Sequence, residues 1–183
     1  MASIFSHGIA AFSLSKITIL RKHPWKLALI GVICSMIPDA DTIGFKFGIP
    51  YHSMWGHRGI SHSIFFAILL ALIVMFIFYR KEKISLKEKC LLFFYFFLAT
   101  VSHPILDAMT NGGLGVAFFA PFDNTRYFFP WRPIQVSPIG AKAFFSAKGW
   151  RVIKSELVWI WIPSIVLIIF AKLLKKVNRN REQ

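Results

Sequence analysis

Acidic residues are scarce in this sequence. Among 183 residues there are 8 Asp and Glu against 22 Lys and Arg, a formal net charge of +14. Charged residues make up 16% of the chain, whereas a soluble domain carries about 25%, which argues against an ordinary soluble enzyme. Cysteine is nearly absent. Cys34 and Cys90 both lie in or beside apolar stretches, so neither a disulfide framework nor a CxxC metal site is available. The first seven residues, Met1 to His7, hold no basic residue ahead of an apolar run, so no cleavable signal peptide is expected. There is no internal repeat and no low-complexity segment, and the length suits one domain spanning residues 1–183. What the chain has in excess is apolar surface. Hydrophobic residues reach 56%, with 20 Phe and 6 Trp, and the mean hydropathy is +0.57. Intrinsic disorder is excluded by such a composition.

A bilayer core takes about 20 mostly apolar helical residues, and about 17 can suffice. Residues 63–79 contain no charge, residues 89–106 are apolar after the first, and residues 157–174 are apolar up to Lys172. An N-terminal pair, 4–20 and 26–37, is a further candidate, its second arm short for a full crossing. The expected fold is all-α, a multi-pass transmembrane helical bundle of about 4–5 membrane helices, with one long aromatic and basic loop over 108–154.

Three clusters hold most of the basic residues: Lys16, Arg21, Lys22 and Lys26; then Arg80, Lys81, Lys83, Lys87 and Lys89; then Lys172, Lys175, Lys176, Arg179 and Arg181. Alternating crossings bring all three to one face, and the positive-inside rule makes that face cytoplasmic.

The opposite face receives His7, Asp39, Asp41, His52, His57, His62, His103 and Asp107. Ionisable groups at membrane depth are costly, so they are paired, metal-bound or functional. In Pro38-Asp39-Ala40-Asp41, either carboxylate could simply cap the next turn. His57 and His62 stand five apart at the mouth of a helix, with Ser61 or Ser63 as its cap, a spacing that does not align two side chains on one helical face. His103 and Asp107, at i and i+4, do share a face, and there they could satisfy each other; Pro104 between them kinks or starts the turn. His7 on its apolar arm reads alone as an interior histidine, and His52 as a loop residue. Together, imidazoles and carboxylates suit zinc or manganese. The candidate ligands His7, Asp39, Asp41, His57, His62, His103 and Asp107 are enough for one or two divalent ions, and Asp39 or Asp41 could instead serve as general base.

At these residues the sequence resembles a family. PDAD at 38–41, GHRGISHS at 56–63 and HPILDAMT at 103–110 resemble motifs of the membrane-bound metal-dependent hydrolases of the YdjM/YbcI type. Ser6-His7, Pro121-Phe122 and YFFPWRPIQVSP at 127–138 are similar to that family's N-terminal motif and outer loop. The resemblance implies a helical membrane bundle and a divalent metal site, and by fold analogy a kinship with all-helical zinc phospholipases C and nucleases.

On the substrate side, Arg58, Arg126 and Arg132 lie in or near the motifs, and arginine suits bidentate phosphate contact. Phe118, Phe119, Phe122, Tyr127, Phe128, Phe129 and Trp131 match an aromatic belt at headgroup level. The expectation is therefore a membrane hydrolase in which a metal-activated water attacks a phosphoester or, second, an acyl ester. Arg58 and Arg132 would hold the anion of a phosphorylated or lipid-like substrate taken from the bilayer. Nucleic acid is not an expected partner, since no reading motif is present. The rivals are a non-enzymatic metal-binding regulator or transporter, and a metal-free His–Asp network.

Overall fold

A computed structural model describes residues 1–18 and 24–181. Arg21, Lys22 and His23 lie outside the described residues, as do the side chains of Arg179 and Arg181. Among the described residues there is no strand, only two isolated bridges, Thr110 to Ile134 and Val116 to Tyr127.

Helix α1 (Ile4–Ile17) starts at Ser3, whose hydroxyl oxygen accepts the Ser6 amide. Helix α2 (Pro24–Met36) opens on proline, where the missing amide costs nothing. Beyond Met36 the chain keeps turning as a 3-10 helix, Ile37–Phe47, until Gly48 closes it at φ 74°. The arm expected to be short is thus a 24-residue span, Pro24–Phe47. Runs of 3-10 helix beyond 3–4 residues are uncommon. This one is held by its polar residues: Thr42 donates to the Asp39 carbonyl at 2.8 Å, while the Asp41 carboxylate is hydrogen-bonded inside the bundle.

A single 3-10 turn, Ile60–His62, leads into α3 (Ile64–Tyr79), capped by Ser63, whose hydroxyl accepts the Phe66 amide at 3.0 Å. Helix α4 (Leu86–Ala108) begins in a Ser85–Glu88 capping box and carries Pro104 inside its last turns. After it come α5 (Ala141–Phe144), α6 (Ala147–Glu156), a π turn (Leu157–Trp161) and α7 (Ile162–Arg181). The long loop expected over 108–154 is therefore helical in its second part. Helix α6 buries Gly149, Val152 and Glu156, at helical spacings of three and four. Lys148, Arg151, Lys154 and Ser155 interrupt its other positions, so an apolar run does not reveal it.

Helix α1 lies along α2 and against α7, and both α2 and α3 pack on α4. The largest core joins Leu27, Ile30 and Cys34 of α2, Ala71, Val74 and Tyr79 of α3, and Leu92, Tyr95 and Phe96 of α4. Gly31 makes that contact possible: a Cβ there would stand 1.9 Å from the Tyr95 hydroxyl. A second lock ties the N-terminal arm to the last helix. The buried Glu156 carboxylate accepts the Ser3 amide, the Ser3 hydroxyl at 2.6 Å and the Ser6 hydroxyl at 2.8 Å. Trp161 Nε1 donates to the Ser6 oxygen at 2.8 Å.

Among the described residues, three helices are long and apolar enough to cross a membrane: Pro24–Phe47, Leu86–Ala108 and Ala147–Val177. Helix α3 is apolar but has 16 residues, about 24 Å at 1.5 Å per residue. The last span is only 17% buried inside the protein, so its apolar surface faces outward, as lipid contact requires. At one end of the bundle the basic clusters meet: Lys26 donates to the Phe78 carbonyl and to Glu82, and Lys175 donates to the Lys16 carbonyl. The motif residues gather at the other end.

Candidate metal centre

Four residues from three segments converge on one point. Asp39 comes from the 3-10 helix after α2, His62 from the turn before α3, and His103 and Asp107 from the end of α4. One ligand atom from each lies within 4.8 Å of all the others, and all four residues are buried. His62 Nε2 is 3.1 Å from His103 Nε2, and 3.7 Å from both Asp39 Oδ1 and Asp107 Oδ2. His103 Nε2 is 3.3 Å from Asp39 Oδ1 and 4.0 Å from Asp107 Oδ2. The i and i+4 spacing thus puts His103 and Asp107 on one face.

The tautomers follow from what lies behind the rings. His103 Nδ1 is 2.6 Å from the Ser35 carbonyl, which can only accept, so Nδ1 carries the proton. His62 Nδ1 is 3.1 Å from Asp41 Oδ2, and an ionised carboxylate also only accepts. In their neutral forms both rings therefore point bare Nε2 lone pairs at each other. Such a pair closes only with a cation or a proton between the nitrogens. Around a tetrahedral ion at about 2.1 Å, ligand atoms sit about 3.4 Å apart, and the observed separations of 3.1 to 4.0 Å bracket that value. Both Asp39 carboxylate oxygens and both His7 ring nitrogens are buried without a hydrogen-bond partner, a state that costs free energy unless something fills it. Charge points the same way. Asp39, Asp41 and Asp107 bring three carboxylates, and the Arg58 guanidinium and the Met1 ammonium both act on Asp107. A bound cation would supply the charge that Asp39 lacks.

Around the four stand residues that hold them. Asp41 accepts from His57 Nδ1 at 2.7 Å, the Arg58 amide at 3.2 Å and the Ser61 hydroxyl at 2.5 Å. It is saturated, and its place is behind His62. The group Asp41, His57 and His62 is also compact enough for a metal, but its atoms already satisfy one another. His7 stacks on His103 with centroids 3.6 Å apart, its Nε2 3.4 Å from Asp107 Oδ1. That same oxygen accepts the Ala2 amide at 2.7 Å.

Arg58 faces inward, not outward. It is fully buried at φ 64°. Its Nε donates to Asp107 Oδ2, one terminal nitrogen to the Gly112 carbonyl and the other to the Thr110 hydroxyl, each at 3.0 Å. The expectation that it clamps a substrate anion meets a side chain already committed. Arg132 is exposed, its guanidinium over the Phe128 ring. Arg126 staples the loop ahead of the site, donating to the carbonyls of His57, Tyr51 and Ser53. His52 is exposed.

The chain as a whole is similar to known proteins. Residues 1–178 match the family model described as YdjM inner membrane protein. The chain belongs to the YdjM inner membrane protein family. It is 40% identical over 145 residues to the inner membrane protein YbcI of Escherichia coli (strain K12), covering 79% of this chain and 82% of that protein. No solved structure matches. Family membership and the apolar helices together make this YdjM-family chain a membrane protein.

Two features of the YdjM-family site escape a reading by motif. The Ser35 carbonyl that fixes His103 is backbone and leaves no mark in composition. Glu156, the carboxylate under Ser3 and Ser6, had a usable signal: a lone acid at helical spacing from Gly149 and Val152.

Protonation sets the pH response. Burial pushes His62 down, but the neighbouring Asp39 and Asp41 carboxylates more than offset it and raise the ring to about 9. Burial outweighs Asp41 at His57 and draws it down. At neutral pH a protonated His62 thus competes with a metal for Nε2. Metal affinity should rise as pH climbs towards about 9 and then level off, each binding event releasing a proton. Calorimetry in buffers of different ionisation enthalpy checks it; a flat affinity from pH 6 to 9 would exclude His62 as a ligand.

Proposed function

We propose that this protein is a membrane-embedded hydrolase that uses one divalent ion, zinc or manganese, to hydrolyse a phosphoester. The observation that carries the reading is the approach of His62 Nε2 to His103 Nε2, each ring fixed from behind by an acceptor. Outer partners of this kind orient metal-ligating histidines. When bound, the ion supplies Lewis acidity, lowering the pKa of a water from 15.7 toward about 7.

The protein's own residues divide the remaining work. His62, His103 and Asp107 hold the ion, and Asp41 and Ser35 aim the two rings. Arg58 holds Asp107 and balances its charge. Asp39 has both oxygens free of hydrogen bonds and lines a cavity, so it would stand beside the ion as the general base, its carboxylate accepting the proton of a water. With Arg58 committed, the phosphoryl charge falls to the ion.

In nanodiscs, the purified protein should hydrolyse a phosphodiester, and a chelator should stop it. Asp39→Asn should keep the metal and lose turnover about 10²-fold or more, the scale of a removed general base. Metal retention with no hydrolysis of any phosphoester or acyl ester, in wild type as in variant, would favour the non-enzymatic metal-binding role. The observation on that side is the same commitment of Arg58.

The positive-inside rule puts the basic end of the bundle in the cytoplasm and the site at the outer face. A His52→Cys variant should then react with a membrane-impermeant thiol reagent in intact cells, and Lys83→Cys only after permeabilisation. The reverse pattern would invert the orientation.

A further inference from the structure

Beside the candidate metal centre lies a cavity of about 550 Å³, within the range that holds a small-molecule ligand. Its walls are Ile4 and Phe5 of α1, Met36 and Ile43 of the second arm, and Phe144 and Phe145 after the long loop. The Phe5 and Phe144 rings stand 6.1 Å apart. Asp39 lies in the same wall. It is the buried carboxylate whose two oxygens lack hydrogen bonds, so the cavity reaches the metal centre at Asp39, with Ser3, Thr42 and Ser137 as further polar groups in a mostly apolar wall. No Lys or Arg lines it.

Three physical points choose the occupant. Water is a poor filling, because a water molecule needs 2–4 polar partners and these walls are mostly apolar. An empty cavity of this size forfeits dispersion contacts along its whole lining. Ile4, Phe5, Ile43 and Phe145 are exposed, so the cavity wall continues onto the outer apolar surface of a membrane protein. A lipid chain entering from there gains nothing from the hydrophobic effect, since it leaves one apolar medium for another; it gains contacts, and its polar end sets the position.

We propose that this cavity seats one hydrocarbon chain of a bilayer phospholipid, with the lipid's phosphoester brought to Asp39 and the metal centre. This inference rests on the hydrolase reading for what happens at the polar end, and on the cavity alone for the chain. It also explains why the substrate side needs no arginine: the chain positions the lipid, and the ion meets the phosphate charge.

The test is photolabelling of the full chain in phosphatidylglycerol and phosphatidylcholine nanodiscs containing a phospholipid with a diazirine on one acyl chain. Mass spectrometry should find label on Ile43, Phe144 or Phe145 above the level on Ile165 and Phe170, the lipid-facing controls of α7. Ala40→Trp and Ile43→Trp, each checked for unchanged metal content, should reduce cavity labelling to that control level, while Ile43→Ala should keep it. Label confined to control-type positions in wild type would overturn the chain seat, whether or not either Trp variant folds. Metal content and turnover of a water-soluble phosphodiester are measured on the same samples. Cavity labelling without turnover leaves the chain seat standing and removes the hydrolase; turnover without cavity labelling does the opposite. A free diazirine fatty acid serves as a second arm. If it labels the cavity and the phospholipid does not, the phospholipid assignment falls.

Discussion

His103→Ala should empty the site of metal. Elemental analysis of the nanodisc protein should give about one zinc or manganese per chain in wild type and background in the variant, and Asp107→Asn should behave likewise. The expected loss is near total because of how the ligands are supplied. His103 and Asp107 share a helical turn at the end of α4, and their ligand atoms lie 4.0 Å apart. Removing the imidazole deletes one ligand and leaves His62 Nε2 without its facing nitrogen at 3.1 Å. A graded series separates ligands from the residues behind them. Asp41 only aims His62, so Asp41→Asn should keep a metal but bind it about 10–100-fold more weakly, the usual effect of losing an outer partner. His57→Ala, one step further out, should do less. If His103→Ala and Asp41→Asn lose metal equally, Asp41 is a ligand; if neither does, the cluster is a hydrogen-bonded network and the hydrolase reading goes with it.

The membrane bundle and most of this cluster can be read from the sequence because helical period does the geometric work. His103 and Asp107 at i and i+4 must share a face, and alternating crossings must bring the histidine and aspartate motifs to the end opposite the basic loops. The division of labour cannot be read the same way. Asp39 and Asp41 are two residues apart in one motif, yet one has no hydrogen bond and the other is saturated, a consequence of the 3-10 turn that carries them. The direction of Arg58 depends on its left-handed backbone at φ 64°, which composition does not announce for an arginine. Helix α6 is too polar to look like part of a membrane span, so Glu156 falls in what reads as a loop.

Arg58→Met should cost the fold about 3–5 kcal/mol, the scale of breaking a buried ion pair by removing one partner. The backbone term cancels, because Arg and Met, both unbranched at Cβ, meet the same strain at φ 64°, so the loss reports the side chain. What is lost is the guanidinium charge donating to Asp107 Oδ2 and the two contacts that tie the site to Gly112 and Thr110. Arg58→Lys keeps a charge but not the planar fork that reaches three acceptors, so it should fall between. Arg132→Ala should leave the melting temperature unchanged, since that guanidinium is exposed over Phe128. The added metal should stabilise Arg58→Met less than wild type, because an Asp107 no longer held by the guanidinium binds the ion more weakly and ligand stabilisation follows affinity. Kinetics distinguish the two roles open to Arg58. A residue that positions Asp107 should lower kcat and metal affinity together, with no selective rise in KM for anionic substrates. An anion clamp would raise KM while leaving metal content and melting temperature as they were, and that result would return Arg58 to the substrate side of the site.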